Sequence, residues 1–143
     1  MKVLILEGIS GSGKSSLQSA LREIEGNSIH QYLTIDRFIH SCYVFEKLKG
    51  APNTDELDRM YYTLKNNLDI TIVYLCTPAY TAYERLRDRG DRTFNNLKFK
   101  VEDLIIQQNL FEEALDRYKF ETIRIDSIDS PIQSAKRILK ELK

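Results

Sequence analysis

No excess of charge of either sign marks this chain: 21 Lys and Arg residues stand against 21 Asp and Glu. A general-purpose nucleic-acid binder ordinarily carries a basic surplus, so that class is disfavoured, although a local basic patch stays open. Cysteine and histidine are scarce. Cys42 and Cys76 lack ligand-like spacing, and only His30 and His40 are present to assist them. No zinc site is expected from that pattern. No disulfide is expected either, because nothing marks the chain as secreted. His30 and His40 each stand alone in sequence, so neither is expected to catalyse or to bind metal. Long apolar runs are missing too. The run from Val3 to Leu6 stops at Glu7, which is too short for a signal peptide or a membrane span. Repeats and low-complexity segments are absent. These absences lead to the expectation of a cytoplasmic protein with reduced thiols and no membrane partner.

What is there fits one globular domain over residues 1–143, with 42% apolar and 29% charged residues. Strand-like and helix-like segments alternate. Val3 to Leu6 reads as a buried parallel strand. Leu17, Ala20, Leu21 and Ile24 follow at helical spacing, predicting a helix over Lys14 to Glu25. Tyr32 to Asp36 is a second short strand. Phe38, Cys42 and Phe45 are expected to line one face of the next helix. Asn53 and Glu56 have capping-box spacing ahead of a stripe of Leu57, Met60, Tyr61 and Leu64.

Asp69 to Cys76 holds a β-branched run and reads as a central strand. Thr77-Pro78 reads as an N-cap followed by proline in the first turn of a helix ending near Arg89. A polar, basic stretch near 89–100 reads as a lid. Val101, Leu104, Ile105 and Leu115 predict a long helix, Phe120 to Asp126 a last strand, and Ser130-Pro131 the start of a terminal helix. Four strands each followed by helix predict a three-layer α/β/α fold around a small parallel sheet.

One motif carries clear chemistry. Gly8-Ile9-Ser10-Gly11-Ser12-Gly13-Lys14-Ser15 matches the Walker A pattern in full, between a predicted strand and a predicted helix. Its glycines let backbone N–H groups approach phosphate oxygens. The helix that follows, through Ser15 and Ser16, points its positive N-terminus at the same anion. Lys14 supplies charge for the β and γ phosphates, and the Ser15 hydroxyl is a ligand for Mg²⁺. The motif therefore predicts the P-loop NTPase fold with ATP and Mg²⁺ as cofactors.

Two further groups extend the site. Asp36-Arg37 falls at the C-terminal end of a strand, the edge where open parallel sheets bind ligands. An Asp there can hold Mg²⁺ or take a proton, and the Arg can clamp an acceptor phosphate. A surface ion pair is the plain alternative. Arg85, Arg87, Arg89 and Arg92 cluster around Gly90, with Arg85 and Arg89 on one helix face. They suit charge stabilisation over a triphosphate, or simply a solvated helix paired with Glu84 and Asp88.

With these residues in view, the chain resembles the thymidylate kinase family. Leu6-Glu7-Gly8 through Lys14-Ser15-Ser16 is similar to the family's P-loop. Asp36-Arg37-Phe38, Ser41 and Phe45-Glu46 look like its Asp-Arg segment. Asp69 to Leu75, with Pro78, Ala82, Arg85, Arg89 and Asp91-Arg92, looks like its strand, helix and lid. The resemblance implies that Asp36 positions Mg²⁺, Arg37 contacts the acceptor phosphate, Arg85 lies near the adenine, and Arg89 and Arg92 serve the lid. Three departures stand out. The family's long segment between the first helix and the Asp-Arg motif is missing, and part of its acceptor site goes with it. Ser10 replaces the P-loop Asp. Cys42, Phe45 and Glu46 replace a small polar residue, Tyr and Gln.

The expectation is a small nucleotide or nucleoside kinase that moves the γ-phosphate of ATP to a nucleotide-type acceptor. Two alternatives remain. The short spacing between Lys14 and Asp36 also looks like the kinase module of polynucleotide 5′-kinases, for which a nucleic-acid end is the acceptor. A non-catalytic ATP-binding module is the other.

Overall fold

The computed structural model describes residues 2–25, 32–90, 100–126 and 130–142, and for residues 25 and 32–36 the backbone only. Four strands form one parallel sheet: β1 (Lys2–Glu7), β2 (Tyr32–Asp36), β3 (Asp69–Leu75) and β4 (Glu121–Ile125). Their spatial order is β2-β1-β3-β4. Six helices are described: α1 (Lys14–Glu25), α2 (Ile39–Lys47), α3 (Asp55–Asn67), α4 (Ala79–Asp88), α5 (Val101–Arg117) and α6 (Pro131–Glu141).

The sheet explains the composition of its strands. β1 and β3 lie inside, covered on both faces, and are almost continuously apolar. Alternate residues serve opposite layers. Leu4, Leu6, Val73 and Leu75 join Leu17, Leu21, Ala135 and Ile138 of α1 and α6 in one core. Val3, Ile5, Ile70, Ile72 and Tyr74 join Val44, Ala82, Leu86, Leu104 and Phe111 of α2, α4 and α5 in the other. β4 lies at the edge and buries only Ile123 and Ile125. The three layers are α1 and α6, the sheet, and the remaining helices. Burying one Leu or Ile in such a core contributes about 1.5–3 kcal/mol.

The chain leaves β1 for β2 on one side and then returns to β3 on the other. The switch point therefore lies at the C-terminal end of β1, where a crevice opens in such sheets. The sequence places the glycine-rich loop there.

Local signals mostly act as their chemistry dictates. Ser130 Oγ accepts from Gln133 N–H at 3.2 Å, Gln133 Oε1 accepts from Ser130 N–H at 3.1 Å, and Pro131 follows in the first turn. Three expectations need correction. Cys42 and Phe45 do not face the core. α2 buries Ile39, His40, Tyr43 and Val44 instead, because β1 and α5 meet its other side. Asn53 does not open a capping box. It accepts from Asp55 N–H in a local turn ahead of Thr54, the residue that starts α3. Met60 and Ile105, placed in apolar stripes, are exposed. Among the described residues no helix is long and apolar enough to cross a membrane.

Candidate functional site

The glycine-rich loop joins β1 to α1 and is built to leave room. Gly11 has φ 78° and Gly13 φ 99°, which side chains rarely adopt. A Cβ on Gly11 would stand 2.6 Å from the Ala82 carbonyl oxygen of α4, so the loop approaches the helix too closely for any side chain there. Lys14 is buried inside this turn. Its ammonium donates to Gly8 O at 2.8 Å, Ile9 O at 2.9 Å and Ser12 Oγ at 3.3 Å. Ser15 and Ser16 are exposed in the first turn of α1, where N–H groups lack intrahelical acceptors. A turn with three glycines, an ammonium within it and a hydroxyl at the helix start fit a polyphosphate with its Mg²⁺.

Two residues of the β3–α4 region brace the loop from below. Thr77 does not cap α4 as its sequence context predicts: its hydroxyl donates to Ser12 O at 2.7 Å and Pro78 takes the N-cap position. Gln108 of α5 in turn donates to Thr77 O at 2.8 Å. Arg85 Nη1 donates to Ser12 O at 3.2 Å and Gly11 O at 3.4 Å. Arg85 and Arg89 also line a cleft of about 530 Å³ beside the loop. Its other walls include Ser16, Leu17, Leu75, Ile125, Asp126, Pro131 and Ser134. A lining that mixes apolar side chains (Leu17, Leu75, Ile125, Pro131) with polar and charged ones suits a nucleobase and its sugar. Arg87 points elsewhere and pairs with Asp88 at 3.4 Å. Arg92, and most of the lid stretch, lie outside the described residues.

On the other side of β1 the backbone sets Asp36 opposite Leu6, at the end of β2; its side chain lies outside the described atoms. Arg37 follows with φ 70°, the one non-glycine residue with positive φ among the described residues. Its N–H donates to Leu6 O at 3.1 Å, its Nη1 donates to Ser41 Oγ at 3.3 Å, and its guanidinium carbon stands 5.9 Å from the Phe45 ring centre.

The sequence assigns Glu7 no role of its own: it ends an apolar run and lies in the stretch that is similar to the thymidylate kinase P-loop. Period-2 alternation puts it on the face of Val3 and Ile5, toward α2. The carboxylate is fully buried, accepts from Phe38 N–H, and accepts from Ser41 Oγ at 2.5 Å. Burial pushes its pKa above the ordinary carboxylate value. The hydrogen bonds from Ser41 and Phe38 oppose that shift, as do the charges of Arg37 and Lys14. A carboxylate closing an apolar strand before a glycine-rich loop was the available signal.

His40 is a core residue. One ring nitrogen donates to Tyr118 O at 3.0 Å, and burial lowers its pKa below the ordinary histidine value. Among the described residues no group of three or more His, Cys, Asp and Glu could hold a metal ion.

No protein-family model and no curated protein matches the chain. Solved structures do. The YorR protein of Bacillus subtilis, in complex with phosphorylated GDP, aligns with TM-score 0.75 and 21% identity over 98% of this chain and 95% of its own. Deoxyadenosine kinase from M. mycoides, with dCMP and dCDP bound, aligns with TM-score 0.69 and 18% identity over 99% of this chain and 98% of its own. The same enzyme with dCTP gives TM-score 0.70. The chain shares the fold of these proteins.

Proposed function

We propose that the chain is a phosphotransferase of the nucleoside or nucleotide kinase kind, acting on Mg²⁺-bound ATP, with residues 1–143 working as one unit. One observation carries this reading. Lys14 and Arg37, two cationic residues on separate elements, are both tied to the C-terminal end of β1, Lys14 by its ammonium to Gly8 O at 2.8 Å and Arg37 by its N–H to Leu6 O at 3.1 Å. One belongs to a polyphosphate cradle and the other lies across β1 from the donor cleft. Two anionic reactants brought together need that arrangement. The shared fold with nucleoside kinases supports it. The Asp36-Arg37-Phe38 stretch with Ser41, Phe45 and Glu46 supports a thymidylate-kinase-like arrangement of the acceptor side.

The loop N–H groups, Lys14 and the start of α1 hold the triphosphate. The base lies in the cleft by Arg85, with Arg89 and Arg92 serving the phosphates. Ser15 and Asp36 would hold Mg²⁺, which when bound would offset the charge of the phosphates. Arg37 holds the acceptor phosphate. An acceptor oxygen forms a bond to the γ phosphorus, the bond to the β–γ bridging oxygen breaks, and ADP departs. A monophosphate acceptor is already anionic and needs no base. A hydroxyl acceptor does, and Asp36 is then the candidate. Glu7 is not, because both its oxygens are engaged and it is sealed from solvent.

A second reading has its own observation. Phe45 is 45% exposed beside Arg37, an open stacking face that suits the 5′ end of a polynucleotide. Labelled ATP offered with deoxynucleosides, their monophosphates and 5′-hydroxyl oligonucleotides separates the two. Transfer to a small acceptor, lost in Lys14→Ala, supports the kinase reading. ATP binding with no transfer to any acceptor overturns it in favour of a binding module.

A further inference from the structure

We propose that Glu7 is the positioning residue for Arg37: a buried carboxylate that holds the acceptor arginine in a left-handed backbone conformation and aims its guanidinium. The inference rests on the reading above, in which Arg37 meets the acceptor phosphate.

An L residue at φ 70° is strained, and it persists only where the surroundings over-determine it. Here the end of β1 does so from both sides. The Arg37 N–H is pinned to Leu6 O at 3.1 Å, and the next N–H, that of Phe38, is pinned to the Glu7 carboxylate. The two amides that flank the strained residue are thus anchored on successive residues of one strand. The same carboxylate reaches the side chain. Its second oxygen accepts from Ser41 Oγ at 2.5 Å, which leaves the hydroxyl lone pairs for Arg37 Nη1 at 3.3 Å. The Phe45 ring centre stands 5.9 Å from the guanidinium carbon.

A charge is not needed for folding at this position. Burial works against the ionised carboxyl, and a glutamine can accept from Phe38 while donating to Ser41. What the ionised form adds is strength in the hydrogen bonds that hold Arg37, since bonds to a carboxylate are roughly twice as strong as neutral ones. Glu7 also directly precedes Gly8. One residue therefore links the turn that holds the donor to the arginine that holds the acceptor, so the two reactants share a rigid reference.

The test compares the full chain with Glu7→Gln, Ser41→Ala, Arg37→Ala and the Glu7→Gln/Arg37→Ala double variant. NMR reads the intra-residue amide–Hα cross-peak of Arg37, strong at positive φ, and the Phe38 amide proton shift. Calorimetry reads ATP affinity with Mg²⁺, and steady-state kinetics read acceptor KM and kcat. In Glu7→Gln the Arg37 cross-peak weakens and the Phe38 amide moves upfield. ATP affinity stays within about twofold while acceptor KM rises about tenfold. The double variant is no worse than Arg37→Ala.

Ser41→Ala raises acceptor KM and leaves the Arg37 cross-peak intact, which keeps the side-chain half of the inference testable if Glu7→Gln fails to fold. An unchanged cross-peak in Glu7→Gln overturns the proposal, as do effects of Glu7→Gln and Arg37→Ala that multiply. A wild-type acceptor KM in Ser41→Ala overturns the side-chain half. If the wild type transfers phosphate to nothing, the role of Arg37 toward an acceptor fails, and the NMR signals still decide whether Glu7 holds it.

Discussion

Replacing Gly11 by alanine probes the phosphate cradle with the smallest perturbation available, a single methyl group. Two costs add. At φ 78° any side chain is strained, at about 1–2 kcal/mol. The new Cβ also stands 2.6 Å from Ala82 O and 3.0 Å from Leu86 Cγ. The first of these is a helix carbonyl that cannot move unless α4 moves, and such overpacking costs about 1–3 kcal/mol. Together the change destabilises the protein by about 2–5 kcal/mol. For a domain of this size that lowers Tm by roughly 6–20 °C. Because the loop must open to relieve the contact, ATP affinity should fall as well. Gly50→Ala is the control: nothing lies within 4 Å of its added Cβ. It should leave Tm within about 2 °C. Thermal unfolding followed by circular dichroism, with calorimetry for ATP, measures both variants. If Gly11→Ala unfolds within a degree or two of the wild type and binds ATP unchanged, the packing of the loop against α4 is wrong.

Arg85→Ala removes a brace on two loop carbonyls and one wall of the cleft, and should weaken ATP binding about tenfold with little change in Tm, as read by calorimetry and thermal unfolding. Glu7→Gln should not lower Tm at neutral pH. A carboxyl whose folded pKa is raised lends stability below its ordinary pKa and loses it as pH rises through the raised value, so a neutral amide avoids that loss. A clear fall in Tm would contradict the burial argument. Asp58 behaves oppositely: the Arg117 hydrogen bond holds its pKa below the ordinary value. Its contribution is present above that ordinary value and fades as pH falls through the depressed one. Asp58→Asn should therefore flatten the acid side of the stability–pH curve. An unchanged slope refutes the assignment.

What the sequence revealed and what it hid divide along physical lines. The glycine-rich loop, the apolar central strands and the Ser130-Pro131 helix start depend on neighbours a few residues away, so pattern alone exposes them. The face of α2 does not. Phe38, Cys42 and Phe45 have sensible helical spacing, but β1 and α5 choose the side that carries Tyr43 and Val44. Thr77 has the chemistry of a cap and is diverted to Ser12, 65 positions earlier, by a sheet that no local pattern encodes. Glu7 is the clearest case. Its partners lie 31 and 34 positions away, and only the parallel pairing of β1 with β2 brings them to its carboxylate.

The most direct measurement is transfer of label from γ-labelled ATP, with Mg²⁺, to a panel of deoxynucleosides, nucleoside monophosphates and 5′-hydroxyl oligonucleotides. Label should appear on a nucleoside or a monophosphate and vanish in Lys14→Ala. Bound ATP with no labelled acceptor, or label confined to oligonucleotide ends, would contradict the account of a small-acceptor kinase.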